Sequence, residues 1–333
     1  MHKVIRKLGL FGLVILVCFT LVSCDSFRER GIIPDRTVPQ HKSGFSITFI
    51  DVGQGDAALV SCDGHYMLVD GGPKSGGTKV AEVLDSQNIK ELDYLIISHM
   101  HEDHIGGLDE ALRHITKVGK AFSVQTYHDS KAFRDFSSEL RQVDGCKTIE
   151  IPQVGQEYKL GSAKIEIMAV GNPNDNILES GDPEEYDPED DDSEEYKKKR
   201  VSNNSLVILV TYKNTSFLFT GDMPFEMEDE FVDKYSQRYA QRESDINSLN
   251  PPIILLKVSH HGSGLSTKYR FLDMLLPQYA IISVGEGNRY GHPSESVLSI
   301  LRDARVDKVY RTDQDGTITV RSDGKNLTFD TEK

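Results

Sequence analysis

At 333 residues, with 38% hydrophobic and 27% charged side chains, the chain is long and apolar enough to bury a sizeable core, which excludes a disordered polymer. Its formal net charge of −14 excludes long-range attraction of polyanions over the whole surface. The N-terminus reads as a targeting segment. His2, Lys3, Arg6 and Lys7 form a basic start, and Leu8 to Val22 is an apolar run of 15 residues, short for a transmembrane helix.

That run ends in Leu21-Val22-Ser23-Cys24, a small residue standing directly before a cysteine, as in the lipobox of bacterial lipoproteins. Residues 1–23 are therefore expected to be a signal peptide, with Cys24 acylated and tethering the chain to the outer face of a membrane. A plain signal peptide or an anchor helix are the competing readings, and each of them also exports the chain. Residues 24–43, rich in Arg, Glu, Pro and Gly without periodicity, read as a flexible tether. Loss of the leader, which carries Lys3, Arg6 and Lys7 and no acid, makes the remainder still more acidic.

Residues 44–333 read as one domain. Phe45 to Asp51 alternates like a strand, and Val52-Gly53-Gln54-Gly55-Asp56 is a glycine-bracketed turn. Ala57–Ser61 and Tyr66–Val69 form a hairpin around Asp63-Gly64, broken by Asp70-Gly71-Gly72-Pro73. Val80–Leu84 has helical spacing, and Leu92–Ile97 is a buried strand. A helix over Phe133–Val143, a strand over Lys164–Val170 and a hairpin of Ser205–Tyr212 with Ser216–Thr220 follow. Helices are expected at Phe225–Tyr235, Tyr269–Leu276 and Ser294–Leu301. Strands are expected at Ile253–Val258, Tyr279–Val284, Val309-Tyr310 and Thr317–Val320. The rhythm gives two sheets with helices outside. The acidic block 182–195, followed by Lys197-Lys198-Lys199-Arg200, reads as a solvated loop without the ligand spacing of an EF-hand. Of the cysteines beyond Cys24, Cys62 and Cys146 form a disulfide only if the fold brings them together.

The chemistry concentrates in His99-Met100-His101-Glu102-Asp103-His104, delivered by the apolar strand before it. His99 and His101, two apart, point to one side of an extended chain, while Asp103 and His104 reach a second point after the turn. That spacing suits two metal ions better than one closed site. Further strand ends carry ligand types. Asp222 follows Phe217–Gly221, and a carboxylate there can bridge two cations. His260 and His261 follow Leu255–Ser259, a pair able to give one ligand and one acid or base. His292 precedes a helix start. Asp70 is placed to accept a hydrogen bond from a ligand histidine.

Together these segments resemble the metallo-β-lactamase superfamily, and within it the extracellular hydrolase domain of the ComEC DNA-uptake family. The likeness rests on Asp51–Asp56, Val69–Pro73, the His99–His104 cluster with Gly106-Gly107, Asn203–Leu206, Phe219–Asp222, Lys257–Ser263 and Asn288–Pro293. The resemblance implies an α/β fold of the four-layer αββα type, with two divalent metal ions, zinc or manganese, on one edge. It implies His99 and His101 at the first ion, Asp103 and His104 at the second, and Asp222 bridging. His260 or His261 would complete the second, with His260 the expected ligand. Asp103, His261 and His292 are the expected catalytic residues, with Asp56, Asp70, Asn204 and Ser263 behind the ligands or against substrate. Many members place another His between the cluster and the bridging Asp. This chain offers Asn203-Asn204-Ser205 there, which leaves one metal under-coordinated, weakly held, or bound through Asn204 and water, and an oxygen-rich site would tilt preference weakly from zinc toward manganese. The implied activity is phosphodiester hydrolysis, on DNA. A phosphorylcholine esterase acting on cell-surface polymers and a non-catalytic metal-binding surface scaffold are the alternatives.

Overall fold

In the computed structural model, the structure describes residues 44–172, 204–240 and 253–333. All of these belong to one unit, Lys42–Lys333. The expected leader, Cys24, the tether, the acidic block and Asn203 lie outside the described residues.

Sixteen strands are described, numbered in chain order: β1 Phe45–Phe49, β2 Ala58–Cys62, β3 His65–Val69, β4 Glu91–Ile97, β5 Lys117–Ser123, β6 Asp144–Gly145, β7 Ile149–Glu150, β8 Glu157–Leu160, β9 Ala163–Val170, β10 Leu206–Tyr212, β11 Thr215–Phe219, β12 Ile253–Lys257, β13 Tyr279–Ile282, β14 Lys308–Arg311, β15 Ile318–Ser322 and β16 Leu327–Thr331. One sheet runs β16-β15-β1-β2-β3-β4-β5-β6, with β7 also on β5; the other runs β14-β13-β12-β11-β10-β9-β8.

Strand parity explains the layers. Tyr94 and Ile96 of β4 face the core between the sheets, while Leu95 and Ile97 face the helices outside. The inter-sheet core joins Ile47, Val60, Met67 and Ile96 of the first sheet to Ile165, Ile208, Phe217 and Leu255 of the second. Helices Gly77–Ser86, Leu108–Arg113 and Lys131–Leu140 cover the first sheet. Helices Phe225–Ala240, Tyr269–Leu275 and Glu295–Asp303 cover the second. This is the expected four-layer αββα sandwich.

β4 pairs in parallel with both β3 and β5, and β12 with both β11 and β13. Strands covered on both faces read as continuous apolar runs, and their C-terminal ends open onto one edge, where ligands gather in open parallel sheets. Cys62 and Cys146 are both free thiols: the first is in the inter-sheet core, the second against the outer helical core. No helix among the described residues is long and apolar enough to cross a membrane.

Candidate metal centre

Six segments meet at that edge: β3 ends in Asp70, β4 in Ser98-His99, β11 in Gly221-Asp222, β12 in the Ser259–Gly262 turn and β13 in Ser283, and the β1–β2 loop brings Asp56. His101 precedes the short helix Glu102–Ile105, which places Asp103 and His104 on its first turn. Backbone contacts fix this turn. Asp56 N donates to Asp103 O (3.1 Å) and Gly71 N to His104 O (2.7 Å). A β-carbon on Gly55 would lie 2.3 Å from Asp103 O, at a φ of +149° that side chains rarely adopt.

Two donor groups share one carboxylate. The first is His99, His101 and Asp222; the second is Asp103, His104, Asp222 and His261. In the first, His99 Nε2 lies 3.0 Å from His101 Nδ1 and 3.7 Å from Asp222 Oδ2. In the second, His104 Nε2 is 3.3 Å from Asp222 Oδ1, and His261 Nε2 is 3.1 Å from Asp103 Oδ2 and 3.7 Å from Asp222 Oδ1. His104 Nε2 and Asp222 Oδ1 of the second group, and His101 Nε2 of the first, are buried without a hydrogen-bond partner. Orphaned buried polar atoms are costly, and a divalent cation at each group satisfies them. The residues present therefore fit two metal ions.

The paired histidines, either of which could complete the second group, take different places. His261, expected as an acid or base, is the one that enters the four-residue group. His260, expected as the ligand there, lies with Nε2 3.7 Å from Asp222 Oδ2, the oxygen that faces His99. Left-handed φ at both residues (50° and 53°) turns the chain so that their rings diverge. His292 is partly buried at the rim, its ring centroid 5.9 Å from that of His260 and stacked at 5.8 Å with Tyr290.

Behind the donors sit orienting groups. Asp70 Oδ2 lies 3.0 Å from His104 Nδ1 and accepts from Ser98 Oγ (2.7 Å), while Oδ1 accepts from Ser98 N (2.8 Å). His261 Nδ1 lies 2.9 Å from Ser283 O and 3.2 Å from Asp56 Oδ1. Asp222 N donates to Ser205 Oγ (2.8 Å), so this segment reaches the centre through Ser205, while Asn204 packs against Gly171. Ser263 Oγ accepts from Leu265 N, a turn contact. Sequence reasoning missed Ser98, Ser205, Ser283 and Lys257. The last carried a signal, a single charge in an otherwise apolar strand.

The electrostatics are those of a cluster built for cations. Burial and the neighbouring His104 and His101 push His99 well below the ordinary histidine range. Burial opposes charge on His104, but Asp222, Asp103 and Asp70 outweigh it and hold that ring well above its usual range. Likewise burial is overcome at His261 by Asp222 and Asp56, and its pKa rises to about 10. Burial, His260 and His261 push His292 down to about 4, which leaves it neutral at pH 7.

A two-sheet sandwich whose strand ends converge on an Asp-linked pair of His/Asp groups defines the class of dinuclear metal-centre proteins. The chain belongs to the metallo-β-lactamase superfamily, whose family model matches residues 50–286. It is 30% identical over 301 residues to ComE operon protein 3 of Bacillus subtilis, covering 85% of this chain and 34% of that protein. It is 26% identical to competence protein ComA of Neisseria gonorrhoeae, covering 84% and 32%. The expected resemblance to ComEC-type competence proteins holds, and the chain spans about a third of the length of these relatives. Among solved structures it is similar to the metallo-beta-lactamase fold protein YhfI of Bacillus subtilis, with 12% identity, a TM-score of 0.45, and 78% and 93% coverage.

Proposed function

We propose that this chain is a metal-dependent phosphodiester hydrolase, exported and tethered to a bacterial membrane through lipidated Cys24, and that its substrate is DNA. The observation that supports this reading is the pair of donor groups joined at Asp222. His99, His101 and Asp222 would hold one cation; Asp103, His104, His261 and Asp222 would hold the other. Two divalent cations so held, zinc or manganese, supply water activation near neutral pH and neutralise charge that develops on phosphoryl oxygens.

The protein's own part is orientation and proton handling. Asp70 and Ser98 hold His104, and Asp56 and Ser283 hold His261, so that both Nε2 atoms face Asp222. A ring so committed is not free to donate a proton, and His292, partly buried beside His260, is the residue that would meet the leaving group. Being neutral at pH 7, it acts through an N–H hydrogen bond rather than as an imidazolium.

DNA as substrate rests on the likeness to competence proteins, against a net charge of −14 that favours a local footprint. The test is hydrolysis of bis-p-nitrophenyl phosphate, then of single-stranded DNA with manganese, against release from a phosphorylcholine ester. We expect cleavage of the first two and its loss in His99→Ala. Wild-type rates in that variant would remove the assigned centre. Cleavage of the choline ester alone would replace DNA by a cell-surface polymer, and metal uptake without any hydrolysis would leave a metal-binding scaffold.

A further inference from the structure

Lys257 is the anomaly of β12. It closes the run Ile253-Ile254-Leu255-Leu256, is only 3% exposed, and is a cation where an apolar side chain would complete the strand. A buried ion pair adds little stability compared with apolar residues of like volume, so its presence calls for a role in placement. Its Nζ lies 2.6 Å from Asp56 Oδ2 and donates to Val258 O at 2.9 Å.

Asp56 is the vertex of a closed ring. Its other carboxylate oxygen lies 3.2 Å from His261 Nδ1, and its backbone N–H donates to Asp103 O at 3.1 Å. His261 Nε2 in turn faces Asp103 Oδ2 at 3.1 Å. Asp56 thus touches two members of the second donor group, Asp103 through its backbone and His261 through its carboxylate, and Lys257 holds that carboxylate. Asp56, Asp70 and His104 also bring ligand-type atoms within 4.8 Å of one another, a further buried acidic group. Lys257 brings a fixed cation to it.

We propose that Lys257 is a positioning residue for the second metal: its ammonium clamps the Asp56 carboxylate, and that carboxylate sets the His261 ring that faces Asp103. The proposal rests on the two-cation reading of the site. It makes Lys257 matter to one donor group and not to the other, which a merely structural lysine would not do.

The test is titration of the metal-free full chain with cobalt(II), followed by calorimetry and by the visible absorption of the bound ion. A His99→Ala background isolates the group of Asp103, His104, Asp222 and His261; a His261→Ala background isolates the group of His99 and His101. In the first background Lys257→Met should weaken cobalt about tenfold to a hundredfold and change its spectrum, the scale found when outer contacts of metal ligands are removed. In the second it should change affinity less than twofold. Equal losses in both backgrounds, or none in the first, would overturn the proposal. Should Lys257→Met not fold, the neutral pair Asp56→Asn with Lys257→Met replaces it. That pair should weaken cobalt in the first background as much as Asp56→Asn alone, and unweakened binding would again overturn the proposal. A wild-type chain that takes up no cobalt would instead remove the two-cation reading itself.

Discussion

Replacing Asp70 by Asn changes the direction of a proton more than the shape of the site. Asp70 is 1% exposed, and its two oxygens accept from Ser98 N and Ser98 Oγ at 2.8 and 2.7 Å and face His104 Nδ1 at 3.0 Å. An anionic acceptor there keeps hydrogen on Nδ1 when a cation displaces the Nε2 proton, so that Nε2, 3.3 Å from Asp222 Oδ1, is the atom left to serve as ligand. In Asp70→Asn the amide NH₂ takes the Oδ2 position and donates to His104 Nδ1. Hydrogen then moves to Nε2 and blocks the ligand atom. Turning the amide over sets its NH₂ against Ser98 N–H, two donors face to face. Either way about 1.5–3 kcal/mol of charge-assisted hydrogen bonding is lost. At 1.4 kcal/mol per tenfold that weakens the second metal roughly 10- to 140-fold. Titration of the metal-free protein with manganese or cobalt, read by calorimetry, gives the affinity of each equivalent, and thermal melting shows that the variant is folded. A folded Asp70→Asn protein that binds both equivalents with wild-type affinity would refute the reasoning, because His104 Nε2 would then owe nothing to Asp70.

Asp222→Ala should abolish uptake of both equivalents, whereas His99→Ala and His261→Ala should each spare one; metal content after gel filtration checks this. Gly55→Ala drives a β-carbon against Asp103 O in a φ suited to glycine, and should cost about 1–3 kcal/mol in urea denaturation and weaken the second equivalent selectively. Glu228 is buried and its pKa rises from 4.5 to about 8, chiefly through desolvation, against the N–H groups of Thr267 and Lys268 that it accepts. The folded state therefore binds this proton more tightly than the unfolded one. Its stabilising share is full below about pH 5 and fades as pH rises toward 8. Urea midpoints of the metal-free protein at pH 5, 6.5 and 8 should fall less steeply in Glu228→Gln than in the wild type, and parallel profiles would contradict this assignment.

Much of the fold was legible because its central strands are long and apolar and its turns carry glycine. β4, β10 and β12 announce themselves in this way. β5 did not, since Lys117-Val118-Gly119-Lys120 is polar at its start and takes its strand state from pairing with β4. β6 and β7 are two residues each, and β16 is half-exposed at a sheet edge, too little pattern to read. In the site, ligand chemistry is visible as His and Asp after strands. What could not be read is which of two adjacent histidines turns inward, because that depends on left-handed backbone angles at His260 and His261. Nor could the Lys257–Asp56 contact be read, since the loop and the strand that meet there are 201 positions apart in the chain.

The strand ends that supply the donors come from both sheets: His99 follows β4 in one, while Asp222 and His261 follow β11 and β12 in the other. Ions held between them would act as rivets across the seam. A molecule whose halves have slid or swung apart would lose its cargo at once, so cation release would report the parting of the layers before any strand unravels.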